Sequence, residues 1–239
     1  MLVGPYVNGA ATLVGAIAGA ALANKLPERL RTSLAPFFGI PSMVMAVVMI
    51  MKLSHLQVVV LSGIVGLIIG ELIYLEKGIG KAAASTRGVI DRLLPVPKGE
   101  LTQEQFLEKF VAITVLFCAS GTGIFGAMHE GMTGDSSILV TKSILDFFTS
   151  MIFATALGYS VATIAIPQVA IQLALAFSAV LIVPLTTPIM QADFSAVGGL
   201  LMLATGFRIC GIKAFPVANL IPALVIAMPL SALWTRYIG

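Results

Sequence analysis

Lys142 and Asp146 stand one helical turn apart in the segment ILVTKSILDFF, residues 138–148. At the centre of a membrane helix each charge costs roughly 2.5–3.5 kcal/mol on insertion scales. A chain keeps such a pair either as a structural bridge or as a site that holds a solute or a proton. Lys142 lies near the start of its helix, where a long stem snorkels to the interface. Asp146 lies about 12 Å beyond the helix start, at ~1.5 Å of rise per residue, and is too deep to do the same. The lysine precedes the acid, which is the less favourable order for an i,i+4 pair. Helix stabilisation alone is therefore a poor explanation. Burial raises a carboxyl pKa and a neighbouring cation lowers it, so the pair also suits transient protonation.

Other polar residues fall in apolar surroundings: Asn8, Gln168, Gln172 and Asn219. Gln168 and Gln172 are one turn apart and share a helix face. The expectation is that Lys142 and Asp146 face the bundle centre with Asn8, Asn219 and one or both glutamines beside them. Glu71 and Arg208 sit near the inner ends of two apolar segments and are expected to form an intramembrane charge pair.

Composition sets the class. Of 239 residues, 58% are hydrophobic and 10% charged, against about 25% charged in soluble domains. The mean hydropathy is +1.03. The chain reads as an all-α, polytopic transmembrane bundle. A span needs ~20 mostly apolar residues. Eight candidates lie near 3–23, 36–52, 56–75, 110–128, 138–158, 162–188, 194–212 and 217–236. With the N-terminus outside, Lys25, Arg29, Arg31, Lys77, Lys81, Arg87, Arg92, Lys98, Lys109, Arg208 and Lys213 fall inside, 11 of the 14 Lys and Arg. The positive-inside rule then favours both termini in the periplasm. The glycine-rich CASGTGIFGAMHEG, residues 118–131, leaves open a fourth segment that dips in without crossing.

Three regions follow. Residues 1–76 hold spans one to three, 77–109 a cytoplasmic linker, and 110–239 spans four to eight. The linker alternates Ile79, Val89 and Ile90 with Lys81, Arg87 and Arg92, which suggests a basic helix lying on the inner surface. Pro95 and Pro97 end it, and Thr102 with Gln105 forms a capping box for the next helix. Gly63, Gly66 and Gly70 in span three are matched by Gly198, Gly199 and Gly206 in span seven, which suggests two parallel four-helix repeats. The small faces Ala11/Gly15/Gly19 and Ser62/Gly66/Gly70 suit close helix packing within the chain, with a homo-oligomer seam as the alternative. Pro167, Pro184, Pro222 and Pro229 are candidate helix breaks.

The histidines, His55 and His129, fall in expected outer loops. His129, Glu130 and Asp135 would offer cation ligands there, but a solvated loop is the simpler reading. Met43, Met45, Met49 and Met51 alternate around span two and face lipid and neighbours. With no GxSxG and no HExxH, no catalytic residue, metal or cofactor is expected.

Several stretches together carry a resemblance: Asn8, LPERL at 26–30, GELIYLE at 70–76, LFCASG at 116–121, GDSSILVTKSILD at 134–146, VGGLLML at 197–203 and GIKAFPVANLIPA at 211–223. Over nearly its whole length the chain resembles the YqgA/YdfK-like family of bacterial inner-membrane proteins, catalogued as domain of unknown function 554. The resemblance implies a bacterial plasma-membrane protein and no established substrate. Buried charge, broken glycine-rich helices and small loops favour a transporter or channel for a small solute, an anion included. A non-transporting scaffold with structural charges is the alternative, and an enzyme ranks last. The expected partners are membrane lipid and an unidentified small molecule or ion, with no nucleic acid.

Overall fold

The computed structural model of the chain describes residues 2–22, 27, 29, 33, 36, 37, 39–85, 102–118 and 120–238. Among these residues the structure is entirely helical. The helices are α1 (Gly4–Ala21), α2 (Gly39–Ile50), α3 (Leu56–Leu72), α4 (Leu75–Ser85), α5 (Gln103–Cys118), α6 (Gly121–Thr133), α7 (Ser137–Leu157), α8 (Ala165–Ile182), α9 (Pro188–Ile209) and α10 (Ile221–Tyr237). Short 3-10 turns at Gly158–Ile164, Val183–Leu185 and Val217–Leu220 join the last four.

Local chemistry sets the boundaries. The Ser120 side chain caps α6 by accepting from the Gly123 N–H at 3.1 Å, and Thr187 caps α9 from Met190 at 3.3 Å. A hydroxyl at this position takes up one of the unpaired N–H groups of the first turn. Gly134 and Gly158, with φ of 76° and 67°, end α6 and α7 in a conformation side chains avoid. The predicted proline breaks are resolved one by one. Pro184 lies in a 3-10 turn, Pro167 and Pro222 occupy first turns, and Pro229 sits inside an unbroken α10. Helix α5 starts directly after Thr102, as the predicted capping box requires. Of the predicted linker helix, the part up to Ser85 is helical, as α4, and the remainder, with Pro95 and Pro97, lies outside the described residues.

Three helical stretches are long and apolar enough to cross a membrane: Ser137–Leu185, Pro188–Ile209 and Val217–Tyr237. The pair Leu56–Leu72 and Leu75–Lys81, bent by 49°, makes a fourth. This is fewer than the eight predicted spans, because several helices are short: α2 has 12 residues, α5 16 and α6 13. The predicted fourth span is divided between α5 and α6. The longest stretch, at 49 residues, folds back on itself. Asp146 on α7 and Gln168 on α8 are 2.7 Å apart, while 22 residues of straight helix would separate them by about 33 Å.

Helix directions follow from close contacts. Gly4 meets Leu139 and Gly19 meets Met151, so α1 and α7 run parallel. Gly39 lies on Cys210 and Gly199 on Ala46, so α2 and α9 are antiparallel. Gly66 meets Ala223 and Gly70 meets Asn219, so α3 and α10 are antiparallel too. Helices α6 and α8 are parallel, with Gly123 near Gln172 and Gly131 on Ala176. One end of the bundle gathers Val3, Ser54, Glu130, Asp193 and Ser231; the other gathers Glu76, Arg208 and Asn219. The four-plus-four repeat is not reproduced by these pairings. Such a repeat would match the packing of α2 on α9 with α8 on α3, and α8 packs on α6 instead.

The core has two parts. Phe125, Phe194, Leu201 and Met202 lead one, between α2, α6, α9 and α10. Phe106, Phe110, Ile113 and Phe117, at helical spacing on α5, lead the other against the ends of α1 and α7. Outside, Ile166, Leu181 and Val225 are exposed apolar side chains, as expected of surface that meets lipid tails rather than water.

Glycine allows the tightest contacts. A Cβ at Gly70 would stand 2.0 Å from the Asn219 carbonyl oxygen, whereas one at Gly78 would meet nothing within 4 Å. Gly70→Ala is therefore expected to lower stability by about 1–3 kcal/mol, the usual cost of overpacking. Gly78→Ala should raise it by about 0.5–1 kcal/mol. Denaturation of both variants in the same detergent checks the contrast. Equal effects would mean that α3 and α10 do not pack this closely.

Candidate functional site

Three helices bring the predicted polar residues together. Asn8 comes from α1, Lys142 and Asp146 from α7, and Gln168 and Gln172 from α8, and all five are buried. Asp146 Oδ2 accepts from the Lys142 ammonium, from Asn8 Nδ2 at 2.8 Å and from Gln168 Nε2 at 2.7 Å. Asn8 Oδ1 accepts from Gln168 at 2.7 Å and Gln172 at 2.6 Å. Charge-assisted bonds of this kind are roughly twice as strong as neutral ones. They offset the several kcal/mol that desolvating a carboxylate costs. All the donors converge on Oδ2, and Oδ1 accepts no hydrogen bond from a described residue. The acceptor oxygens of Gln168 and Gln172 are buried without partners.

Lys142 is placed by its neighbours. Its ammonium stands 5.7 Å from the centre of the Phe117 ring, within cation–π range. A Cβ at Gly123 would come within 3.0 Å of the Lys142 side chain, so glycine in the first turn of α6 leaves the lysine its path.

Lys142 and Asp146 form part of the wall of a cavity of about 680 Å³, within the usual range for small-molecule sites. Phe117, Leu145 and Phe153 supply apolar wall, and Ser120, Thr122 and Thr149 supply hydroxyls. The Ser42 and Thr122 hydroxyls meet at 3.3 Å. The cavity reaches Lys109, Glu76 and Arg208 at the other end. The break between α5 and α6 opens onto it, so the start of α6 contributes directly to the wall.

Two expectations are corrected. Asn219 is not in the Lys142–Asp146 cluster; its Oδ1 accepts from the Glu76 N–H at 2.7 Å at the far end of the cavity. Arg208 pairs with Glu76 at 2.7 Å rather than with Glu71, which is exposed. The cause is the bend after α3, where Tyr74 adopts a φ of 52°. It turns the chain so that Glu76 points back toward Arg208.

Two carboxylates at the opposite end have roles the sequence reading did not give them: Asp193 was not singled out, and Glu130 was read only as an outer-loop ligand beside His129 and Asp135. Glu130 accepts from the Val3 and Gly4 N–H groups at 2.7 and 3.0 Å, at the start of α1. Asp193 accepts from Ser54 N–H at 2.9 Å, His55 N–H at 2.8 Å and Ser231 Oγ at 2.7 Å, and its Oδ2 lies 2.9 Å from His55 Nδ1. Their signal was an acid just inside an apolar run, which did not reveal the helix start it would meet. His129 and Glu130 are not loop residues: both are buried in α6. His129 Nε2 is 3.7 Å from Asp135. The Ser137 backbone N–H holds the exposed Asp135 carboxyl below its usual range. Among the described residues no group of three or more His, Cys, Asp and Glu is placed to hold a metal ion.

The corrected pairing has a direct check. A double-mutant cycle between Arg208→Gln and Glu76→Gln should give a coupling of up to about 1 kcal/mol, as for partly exposed ion pairs. The same cycle with Glu71→Gln should give a coupling near zero. Chemical denaturation in detergent reads both, and a larger coupling to Glu71 would reverse the assignment.

Comparison with known proteins places the chain. It is 54% identical over 237 residues, 99% of both chains, to the uncharacterised protein YqgA of Escherichia coli K12. It is 30% identical over 128 residues, 53% of this chain and 56% of the other, to the uncharacterised membrane protein YdfK of Bacillus subtilis 168. No solved structure matches. Residues 3–232 match the family described as "Protein of unknown function (DUF554)", and the chain belongs to that family.

Proposed function

We propose that the protein moves a small solute across the bacterial inner membrane, with the Lys142–Asp146 pair as its polar site. One observation carries this: the buried pair stands on the wall of a cavity instead of in a dry contact. A bridge needed only for stability would gain nothing from an adjoining space. The cavity is bounded by a helix broken at mid-depth, and broken helices are where transporters place their sites. In this reading Lys142 holds the solute, with Asp146 as the internal counter-charge it exchanges for it.

The eight-crossing topology belongs to this proposal. Neighbouring helices run parallel or antiparallel as eight alternating passes would require, if α5 and α6 together make one pass. The Lys- and Arg-rich end, with Lys109 and Arg208, then faces the cytoplasm. The exposed Lys109 and Arg208 side chains put the cavity's open end on that side. Cysteines introduced near residues 90 and 236, in a background with Cys118 and Cys210 replaced by serine, should label from opposite sides. Labelling from the same side rejects this topology.

The competing reading is a scaffold whose buried charges are structural, favoured by the fully engaged Oδ2 of Asp146. Asp146→Asn separates the two, because it keeps an acceptor oxygen for the three donors and removes the counter-charge. In proteoliposomes given a metabolite panel, the variant is expected to stay folded and lose uptake at least tenfold. The structural reading expects lost stability instead, recovered when Lys142→Met and Asp146→Leu are combined. No uptake across the panel by folded wild-type protein would favour the scaffold.

A further inference from the structure

We propose that the Arg208 end of the cavity is a binding site for a carboxylate, occupied here by the chain's own Glu76, and that the solute is a small organic carboxylate. Glu76 is held as a free carboxylate would be. Oε1 accepts from Arg208 Nη1 at 2.7 Å, and Oε2 accepts from the Ala218 N–H at 3.2 Å. That N–H belongs to the first turn of the 3-10 segment leading into α10, where backbone donors lack helical partners. One guanidinium N–H and one backbone N–H thus each take one carboxylate oxygen, and the guanidinium bond is charge-assisted. The Phe215 carbonyl accepts from Arg208 Nη1 at 3.3 Å and fixes the guanidinium independently of Glu76.

Glu76 reaches this place through backbone features of its own. The Tyr74 φ of 52° and the bond from Glu76 N–H to Asn219 both aim it. Glu76 and Arg208 are partly exposed at the cavity mouth, so the contact is open to exchange with a dissolved anion. Lys109 lies on the same wall and draws anions inward. Deeper in, Lys142 is likewise neutralised by an internal carboxylate, Asp146. Both cations can therefore pass an anion along without ever standing unpaired. The apolar and hydroxyl wall between them suits a short organic body better than a compact inorganic anion.

The carboxylate site stands on its own geometry; its role in passage rests on the transport reading above. Full-length protein in lipid nanodiscs is titrated with acetate, lactate and succinate, with lactamide and inorganic phosphate as contrasts, and thermal midpoint and apparent Kd are read. At least one carboxylate should raise the midpoint, while lactamide and phosphate should not. Glu76→Gln should tighten that carboxylate by up to about fivefold by removing the internal competitor, the factor that a pair worth up to about 1 kcal/mol allows. Glu76→Asp, too short to span both donors, should do so less and serves if the glutamine variant misfolds. Arg208→Gln should weaken binding at least tenfold. The proposal is overturned if no carboxylate binds even the Glu76 variants, if Arg208→Gln binds as wild type does, or if phosphate or lactamide binds as well. Uptake of a non-carboxylate solute without carboxylate binding would sink this site and keep the transport reading. Arg208-dependent binding without uptake would do the reverse.

Discussion

The cost of a carboxylate away from water organises this bundle. Among the described residues, each buried or half-buried acid is matched with donors from other elements, and those matches tie several of the helices together. Asp146 ties α7 to α1 and α8. Glu130 ties the end of α6 to the start of α1. Asp193 ties α9 to the start of α3 and to Ser231 on α10. Glu76 ties the start of α4 to α9 and to the segment before α10. Two of these acids sit at helix starts, where free N–H groups and the positive end of the dipole both favour an anion. Lipid gives apolar side chains no reason to prefer one another over the tails, so polar contacts of this kind carry much of the specificity.

The carboxylates choose partners, and glycine sets the separation. Gly15 and Gly19 on α1 let the α7 backbone approach, while Gly66 and Gly70 on α3 do the same for α10. These are the small-residue faces visible in the sequence, and in the fold they are spent inside one chain. Close approach brings Asn8 within reach of Asp146, so packing and site depend on each other. Dispersion between close backbones supplies attraction, and the amide–carboxylate lattice supplies register.

Some of this was legible in the residues and some was not. Asn8, Lys142, Asp146, Gln168 and Gln172 could be grouped because each is too polar for lipid, and burial logic does not depend on topology. The pairing of Arg208 could not be read in the same way. Glu71 and Glu76 are five residues apart, and the choice between them rests on the bend at Tyr74, a residue with no sequence mark of a left-handed conformation. Asn219 was misplaced for a related reason: depth along a span was readable, but which end of the cavity it served was not. Asp193 was passed over, and Glu130 was read as a loop ligand, because capping another helix is a tertiary event with no local pattern. The count of long apolar helices fell short because a pass shared between α5, which ends at Cys118, and α6, which starts at Gly121, reads as continuous in composition. The suggested four-helix repeat failed because glycine spacing reports close packing, and close packing has no need of symmetry.

The cavity ends differ in a way that bears on mechanism. At Lys142 and Asp146 the partners are rigid: three helices, two amide relays, and donors all turned toward Oδ2. At Arg208 and Glu76 the partners are a bend, a 3-10 turn and partly exposed side chains. Low local stability belongs where a contact must open, and high local stability where geometry must persist. An anion arriving from the Lys- and Arg-rich side would meet the yielding contact first and the rigid one second. Under the transport reading proposed above, that order would let the mouth exchange ligands while the inner pair keeps its geometry.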